Sequence, residues 1–431
     1  MHVRGDIAFF KYDLRATRIE MFPEIKKYYR EPLYRNSLAI MLNAAFSSFF
    51  GLLFWIVAAR TMPSTTIGLA TAAISAATFV FTLSRLGLDT GLTRFLPRST
   101  DRNALYSTVL YITLLLALAF TAVFLLVVGL VSPQLAFMRE GAFLFVFLVY
   151  AAIYAIFSTQ NNALVSLRRG DLFLIQNLVL GIRVPLLFAV VGLGVLGIFT
   201  SWDISLLATL AFGVYVLHRY GLSFQFTANT SSLREIFSFS LGNYVAGIFV
   251  IFPISVMPVL IINTVGAQGS AYFFIAYSVA SLLNIIPTAV STSLFVEGSH
   301  DMPMRENVVK SLKFVLLLLV PILLFVLVFG NKLLLLFSRE YSDQAFGLLR
   351  LLAISSIFTV VPNIYITIKR IQKDVLMITY VSFAISMLII VLGYIALITT
   401  GLLGLGYVWI VANAIVTAAA AWLIVRHEKW I

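Results

Sequence analysis

The sequence contains no cysteine and only four histidines among 431 residues, which excludes disulfides, thiolate nucleophiles and cysteine metal sites. The histidines are scattered and form no metal-ligand pattern, so we expect no cofactor. Charge is also scarce, because 11% of the residues are charged, whereas a soluble domain carries about 25%. The polar stretches between apolar runs are short, which excludes a sizeable soluble catalytic domain on either side of a membrane.

Apolar sequence is what the chain has in abundance. Hydrophobic residues make up 61% of it, and its mean hydropathy is +1.00. Apolar runs of about 20 residues recur, each long enough to cross the ~30 Å hydrocarbon layer as a helix. We therefore predict an all-α polytopic membrane protein with about twelve transmembrane helices. The predicted spans are 37–59, 68–88, 105–131, 141–163, 172–196, 203–218, 236–263, 269–296, 309–330, 345–366, 375–398 and 402–425.

The basic residues predict the orientation of these spans. Tails and alternate loops place 23 of the 30 Lys and Arg on one side and five on the other, a strong positive-inside bias. This bias explains the net charge of +12 without a nucleic-acid partner and predicts that both termini are cytoplasmic. Residues 1–35 are predicted to form a tail on anionic membrane lipids, or alternatively a regulatory segment. They lack the apolar core of a cleaved signal peptide, so the first span is expected to direct insertion.

The second half of the chain repeats the first at an offset of 203 residues. The hairpin Trp55–Arg98 has a weaker copy there, and basic turns and their following aspartates coincide. The paired positions include Arg60 with Asn263, Arg102 with Arg305, and Asp171 with Asp374. Six spans in each half mean that both halves enter from the same side, as parallel repeats about a pseudo-two-fold axis. We predict two six-helix bundles, an N-lobe over 36–222 and a C-lobe over 223–431, with the substrate path between them.

The hairpin carries a resemblance to a known family. Ala59-Arg60, a short turn, Gly68-Leu69, a helix of small and apolar residues, and the segment 86–95 (LGLDTGLTRF) resemble the opening of the polysaccharide-transporter flippases. These are prokaryotic members of the multidrug/oligosaccharidyl-lipid/polysaccharide exporter superfamily. The sequence departs from the family pattern at 61–62 and 66–67, and its second half lacks the Gly-Leu-Asp segment.

The resemblance implies a function. It implies a flippase of the prokaryotic plasma (inner) membrane that moves a polyprenyl-pyrophosphate oligosaccharide to the outer leaflet for surface polysaccharide or glycan biosynthesis. It also implies a V-shaped pair of bundles working by alternating access. A polysaccharide polymerase or glycosyltransferase is the partner such a flippase would serve.

Arg183 is the first candidate for substrate binding. It lies 12 residues after Asp171, about 18 Å along the fifth helix and hence near mid-bilayer, where a charge usually faces a cavity or a partner. Gln176 is placed on the same helix face, and Pro185 predicts a bend nearby. If the chain is a flippase, the planar fork of Arg183 would hold the pyrophosphate. The alternative is a structural arginine paired with carbonyls or an acid.

Four charged residues near the predicted cytoplasmic mouth form the next group. Arg85 and Asp89 are four residues apart on the predicted second helix and share a face. They are interpreted as a cavity-lining ion pair or, alternatively, as a pair snorkelling to the interface. Arg94 and Arg98 are interpreted as interface anchors that would also gather an anionic substrate at the entrance.

Two asparagines in equivalent spans complete the candidate site. Asn43 in the first span and Asn243 in the seventh would bond sugar hydroxyls across the central cleft. The competing interpretation is interhelical hydrogen bonding.

Two other functions compete with the flippase. A drug/cation antiporter of the same superfamily needs an acid deep in a lobe, and the acids assigned to spans, Asp89 and Glu297, lie near a cytoplasmic end. A membrane-embedded enzyme such as a polymerase or glycosyltransferase needs paired carboxylates or a His/Asp set. The acids assigned to loops form no such constellation; they are Glu140, Asp203, Glu340 and Asp343.

Overall fold

The computed structural model describes residues 32–225, 233–298 and 304–427, and every regular element in these ranges is a helix. Most of the predicted tail, residues 1–31, lies outside the described residues. The helices are Pro32–Thr61, Ser64–Ser84, Leu88–Phe95, Arg102–Val131, Gly141–Ser166, Gly170–Val179, Arg183–Val190, Val195–Arg219, Leu233–Thr264, Ala267–Ser281, Ile285–Gly298, Met304–Leu335, Arg339–Phe358, Val360–Ile371 and Val375–His427.

These helices supply twelve crossings. Ten of the described helices are long and apolar enough to span a membrane, and the pair Arg339–Phe358 and Val360–Ile371, bent by 40°, makes an eleventh span. The run Val375–His427 has 53 residues, about 80 Å as one helix. The chain reverses at Gly401, whose φ of 69° is not helical. The reversal brings the two halves of the run together: a Cβ on Gly393 would lie 3.0 Å from Leu405 Cδ1, twelve residues further along the chain. The run therefore supplies spans eleven and twelve, and the predicted fold is confirmed.

The helix ends preserve the internal repeat. The first span ends at Thr61 and the seventh at Thr264, a separation of 203 residues. The second span begins at Ser64 and the eighth at Ala267, again 203 residues apart. The chain is therefore two six-helix bundles related by a parallel repeat, as predicted.

The sixth predicted span was wrong in its bounds. Residues 203–218 were expected, but the helix begins at Val195 and ends at Arg219. The break that separates it from the fifth span falls at Gly194, whose φ of 58° suits glycine. The two residues Trp202 and Asp203 lower the local hydropathy, and they lie inside the helix rather than in a loop.

Spans of the two bundles meet along the second span. A Cβ on Gly68 would lie 1.7 Å from the carbonyl oxygen of Ala267, so only glycine permits this backbone approach. Small residues line the same span, and they allow close helix packing in a membrane. We call this end of the molecule, with the Arg60–Ser64 turn, the turn end. The opposite end, which carries Arg94 and Arg98, is the basic end.

The first span is enclosed on one side only. It packs on the fifth span, where Asn36 Oδ1 accepts a hydrogen bond from the Gly170 N–H at 2.6 Å. Large apolar side chains on its basic-end half are exposed, among them Met41 at 68% and Leu42 at 40%. This half of the first span therefore borders either lipid or an open cleft.

Candidate functional site

The fifth span is broken where the sequence predicts a bend. Its helix ends at Val179, a 3-10 turn covers Leu180–Ile182, and a new helix begins at Arg183. Pro185 cannot donate to the carbonyl of Gly181. The hydroxyl of Ser205 on the sixth span donates to the carbonyl of Leu180 at 2.9 Å, which satisfies one group freed by the break.

Arg183 lies between aromatic rings at this break. Its guanidinium carbon is 4.7 Å from the ring centre of Trp202 and 5.4 Å from that of Phe54. Gly51 on the first span lies beside it, and a Cβ there would be in ordinary van der Waals contact, 3.8 Å from Nη2. Among the described residues no carboxylate lies within 4.0 Å of Arg183, and its buried Nε has no hydrogen-bond partner.

This environment has a chemical consequence. The aromatic rings stabilise the charge of the guanidinium, but they cannot accept the five N–H bonds that point along its edges. The structural alternative, an arginine bonded to carbonyls or paired with an acid within 4.0 Å, is not observed within the described ranges. The geometry suits an anion that approaches in the guanidinium plane.

An aromatic path joins Arg183 to Arg85. Arg85 Nη2 donates to the hydroxyl of Tyr154 at 3.1 Å. The Tyr154 and Tyr150 ring centres are 5.8 Å apart, and Tyr150 lies 6.1 Å from Trp202, which contacts Arg183. Sequence reasoning missed these aromatic residues. The spacing of four between the two tyrosines was the available signal, but nothing in the sequence links them to either arginine.

Arg85 and Asp89 form a pair, but not on one helix. The second span ends at Ser84, and positive φ angles at Leu86 (46°) and Gly87 (76°) turn the chain before a separate helix, which contains Asp89, begins at Leu88. The predicted shared helix is therefore wrong. The pair still forms, with Arg85 Nη1 3.7 Å from Asp89 Oδ2 and both side chains about three-tenths exposed.

The two entrance arginines lie at the basic end. Arg94 is exposed on the short helix Leu88–Phe95, with its guanidinium 5.8 Å from the Phe95 ring centre. Arg98 ends the following 3-10 turn and is also exposed. The structure does not bring them to Arg183, and an entrance role for them stays a prediction.

Gln176 is buried and hydrogen-bonded inside the lobe. Its Nε2 donates to Gln160 Oε1 on the fourth span at 3.1 Å. Gly213 makes room for this pair, because a Cβ there would be 2.2 Å from Gln160 Oε1. Gln176 thus connects the fourth, fifth and sixth spans, and its recorded bond is to Gln160 rather than to Arg183.

Of the two candidate asparagines, only Asn43 has a described side chain. Asn43 is half-buried, and its Oδ1 has no hydrogen-bond partner among the described residues. The side chain of Asn243 lies outside the described residues. Its neighbour Tyr244 donates from its hydroxyl to the carbonyl of Leu83 at 2.7 Å and so joins the second and seventh spans.

Asp203 is the principal residue that sequence reasoning misplaced. It was assigned to a loop, but it is 6% exposed within the sixth span. Its Oδ1 is buried and has no hydrogen-bond partner within the described ranges. Asp203 directly follows Trp202, whose ring contacts Arg183. This lobe therefore contains both an acidic and a basic side chain. The expectation that span acids lie only near a cytoplasmic end is therefore wrong.

The turn end is closed by hydrogen bonds between the bundles. Glu340 Oε1 accepts from Ser64 Oγ at 2.6 Å, and from the hydroxyl of Tyr272 at the same distance. Arg60 Nε donates to the carbonyl of Leu336 at 2.7 Å. Ser132 Oγ lies 2.6 Å from Asn263 Oδ1. Glu340, which was assigned to a loop, lies in the first turn of the tenth span and bonds to residues of both halves.

The chain is similar to a family of known description. Residues 57–345, which include the hairpin and most of the candidate site, match a family described as polysaccharide biosynthesis protein. No curated protein sequence matches the chain significantly.

Solved structures of transporters share the fold. An inward-facing multidrug resistance MATE family transporter of the MOP superfamily is 15% identical, with a TM-score of 0.72 over 89% of this chain and 95% of that chain. An outward-facing structure of such a transporter is 14% identical, with a TM-score of 0.63 over 94% and 98%. A MOP superfamily transporter from Pyrococcus furiosus is 14% identical, with a TM-score of 0.62 over 94% and 97%. Its binding pocket is described as having reverse polarity, suggesting a different function.

Proposed function

The chain belongs to the polysaccharide biosynthesis protein family of multi-pass membrane transporters with the MOP superfamily fold, and from this premise we propose that it is a flippase. Its proposed substrate is an oligosaccharide linked to a polyprenyl lipid through pyrophosphate. Transport moves the sugar from the cytoplasmic to the outer leaflet by alternating access between the two bundles. A polysaccharide polymerase or glycosyltransferase would use or supply the same lipid-linked sugar.

Arg183 is the observation that carries this proposal. A guanidinium inside a membrane bundle is unfavourable by several kcal/mol, and no carboxylate among the described residues lies within 4.0 Å of it. Its ring contacts with Phe54 and Trp202 leave the edge N–H groups available. Pyrophosphate presents oxygen atoms that such a planar fork binds bidentately.

The topology follows from the charge distribution. The basic end faces the cytoplasm of a prokaryotic plasma membrane, and both termini lie there. The N-lobe covers 36–222 and the C-lobe 223–431, with residues 1–35 as the tail. Hydrogen bonds join the bundles at the turn end, and Arg94 and Arg98 lie at the proposed cytoplasmic entrance.

Transport in proteoliposomes tests the role of Arg183. The substrate is a fluorescent oligosaccharide on a polyprenyl pyrophosphate, and the measurement is its transbilayer movement. Arg183→Ala should slow this movement by about tenfold or more, because charge-assisted hydrogen bonds contribute roughly 1.5–3 kcal/mol each. Arg183→Lys should retain part of the activity, since it keeps the charge but loses the planar fork.

A matched variant controls for loss of charge alone. Arg139 is an exposed arginine at the turn end, and Arg139→Ala should move the probe at the wild-type rate. Wild-type transport by Arg183→Ala, at equal protein incorporation, would contradict the assignment.

Asp203 favours a second candidate, a drug/cation antiporter. A buried carboxylate without a hydrogen-bond partner in the described ranges is the deep acid that cation exchange requires. Efflux of a cationic dye from the same vesicles distinguishes the two functions. Efflux that is abolished by Asp203→Asn and unaffected by Arg183→Ala would favour the antiporter.

A further inference from the structure

A cavity lies inside the C-terminal bundle, and none of its described lining residues comes from the N-terminal bundle. It has a volume of about 260 Å³ and is lined by spans seven, eight, ten, eleven and twelve. Its lining, all of it in the described part of the chain, includes no Asp, Glu, Lys, Arg or His. Its polar groups are instead amides and hydroxyls. The cavity therefore offers hydrogen bonds without offering a charge.

Two broken spans meet at this cavity. The eighth span is interrupted by a 3-10 turn at Leu282–Asn284, and the tenth bends by 40° at Thr359. Thr359 Oγ1 lies 3.1 Å from Asn284 Oδ1 and 2.8 Å from the carbonyl oxygen of Ser356, directly between the two breaks. Irregular backbone within a membrane is tolerated where it lines a cavity, and paired breaks of this kind form substrate sites in transporters.

A buried hydroxyl of the cavity has unused bonding capacity. Ser382 is 4% exposed, and its Oγ has no hydrogen-bond partner among the described residues. Buried polar atoms are normally satisfied by protein, water or ligand. Asn413, also 4% exposed, lies in the same lining, where its Nδ2 donates to the carbonyl of Trp409 at 2.8 Å. The Ser382 hydroxyl is therefore a group that a ligand would complete.

The cavity also has an aromatic wall. Tyr277 and Trp409 line it, with ring centres 5.7 Å apart and planes at 61°. Phe273 packs behind both rings, at 5.7 Å from Tyr277 and 5.8 Å from Trp409. Aromatic rings next to polar groups provide an apolar face and a polar edge within one site. A pyranose ring has the same two kinds of surface, C–H faces and a rim of hydroxyls.

From these features we propose that the C-lobe cavity binds a neutral pyranose unit of the transported glycan. This rests on the proposed function, and it assigns the sugar to a different site from the pyrophosphate. A phosphate would lack a cation here, a cationic dye would lack a carboxylate, and an alkyl chain would leave the amides unsatisfied. The volume lies just below the usual 300–1,000 Å³ of ligand pockets, which suits one sugar unit rather than an entire oligosaccharide.

Saturation-transfer NMR tests the proposal on the full chain in lipid nanodiscs free of sugar-headed detergent, which would compete. The probes are glucose, galactose, mannose, rhamnose and N-acetylglucosamine. At least one should receive saturation from the wild-type protein. Asn284→Leu and Ser382→Ala should each weaken its binding by about tenfold, the effect of one or two lost hydrogen bonds. Asn177→Leu, an amide of the N-terminal bundle bonded to Asn161 at 3.3 Å, is the matched control and should bind normally.

Inorganic pyrophosphate, followed by ³¹P line broadening, separates this proposal from the flippase assignment. Its binding should be lost in Arg183→Ala and unchanged in Asn284→Leu, while sugar binding shows the reverse pattern. No transfer to any of the five pyranoses, or transfer unchanged in both cavity variants, overturns the saccharide site. Pyrophosphate that fails to bind the wild type counts against the flippase assignment instead, and leaves sugar binding to be judged by its own variants.

Discussion

The interiors of the two bundles differ in charge although their scaffolds repeat. The N-terminal bundle encloses Arg183 and Asp203, whereas the C-terminal cavity has no charged lining residue within the described ranges. The offset of 203 residues that relates the helix ends pairs Arg183 with Ser386 and Arg85 with Thr288. Both of these hydroxyl residues line the neutral cavity.

This difference shows how a repeated architecture acquires two chemistries. The helix ends and turns stay equivalent, because each half must cross the same bilayer. The inward-facing positions are free to change, so one half holds a cation among aromatic rings and the other holds amides and hydroxyls. A ligand with an anionic linker and neutral sugars matches both interiors together.

The largest expected effect comes from placing a charge in the neutral half. Asn413→Asp keeps the side-chain shape but adds a carboxylate in the middle of the twelfth span. We expect the free energy of unfolding to fall by about 3 kcal/mol, the cost of an aspartate at a helix centre. Denaturant titration in mixed micelles measures this. Asn413→Leu adds no charge, so its free energy of unfolding should fall by about 1 kcal/mol or less. Equal losses in both variants would show that the added charge is not the cause.

Removing the charge from the other half should change stability little. If Arg183 were structural, its loss would leave a partner charge unpaired and lower stability by about 3–5 kcal/mol. No carboxylate among the described residues lies within 4.0 Å of Arg183. We therefore expect Arg183→Met to change the free energy of unfolding by about 1 kcal/mol or less while losing transport. A loss of several kcal/mol in the same titration would establish the structural interpretation instead.

The smallest expected effects concern one neutral hydrogen bond in each bundle. Gln176 to Gln160 and Thr359 to Asn284 have the same 3.1 Å separation. Double-mutant cycles should give a coupling of about 0.6 kcal/mol for each, the average for membrane helices. Adding a bound pyranose should change the coupling of Thr359 with Asn284 only. An equal change in both couplings would mean that the sugar does not distinguish the bundles.

Much of this fold was predictable from the sequence. The twelve apolar runs can be recognised in the sequence because each must match the hydrocarbon thickness. The 203-residue offset can be recognised because the turns recur at the same spacing as the spans. The sixth span was misread because Trp202 and Asp203 lower hydropathy in a segment that is nevertheless buried. The second span was read too far toward the basic end, because Arg85 and Asp89 have helical spacing although Gly87 turns the chain between them.

The candidate site was only partly predictable. Arg183 stands out because a lone charge in an apolar span needs a reason. Its contacts with Phe54 and Trp202 could not be read, since they join helices distant in sequence and no spacing rule connects them. The neutral cavity was missed for the opposite reason. Asparagines and serines in apolar spans are usually explained by interhelical bonds, and the breaks at Asn284 and Thr359 leave only a weak sequence signal.

The hydrogen bonds at the turn end have an energetic consequence for turnover. Five hydrogen bonds join the bundles there: Arg60 donates to the carbonyls of Leu335 and Leu336, Ser64 donates to Glu340, and Asn263 bonds with Ser132 and with the carbonyl of Val131. One bond, from Tyr244 to Leu83, joins them near the basic end. At about 1 kcal/mol net for each bond, the difference of four bonds favours the closed turn end by about 4 kcal/mol. At that bias the alternative arrangement holds on the order of 0.1% of the molecules. A substrate that binds it preferentially by only a few kcal/mol can therefore reverse the balance, without a strong latch that would have to be broken on every cycle.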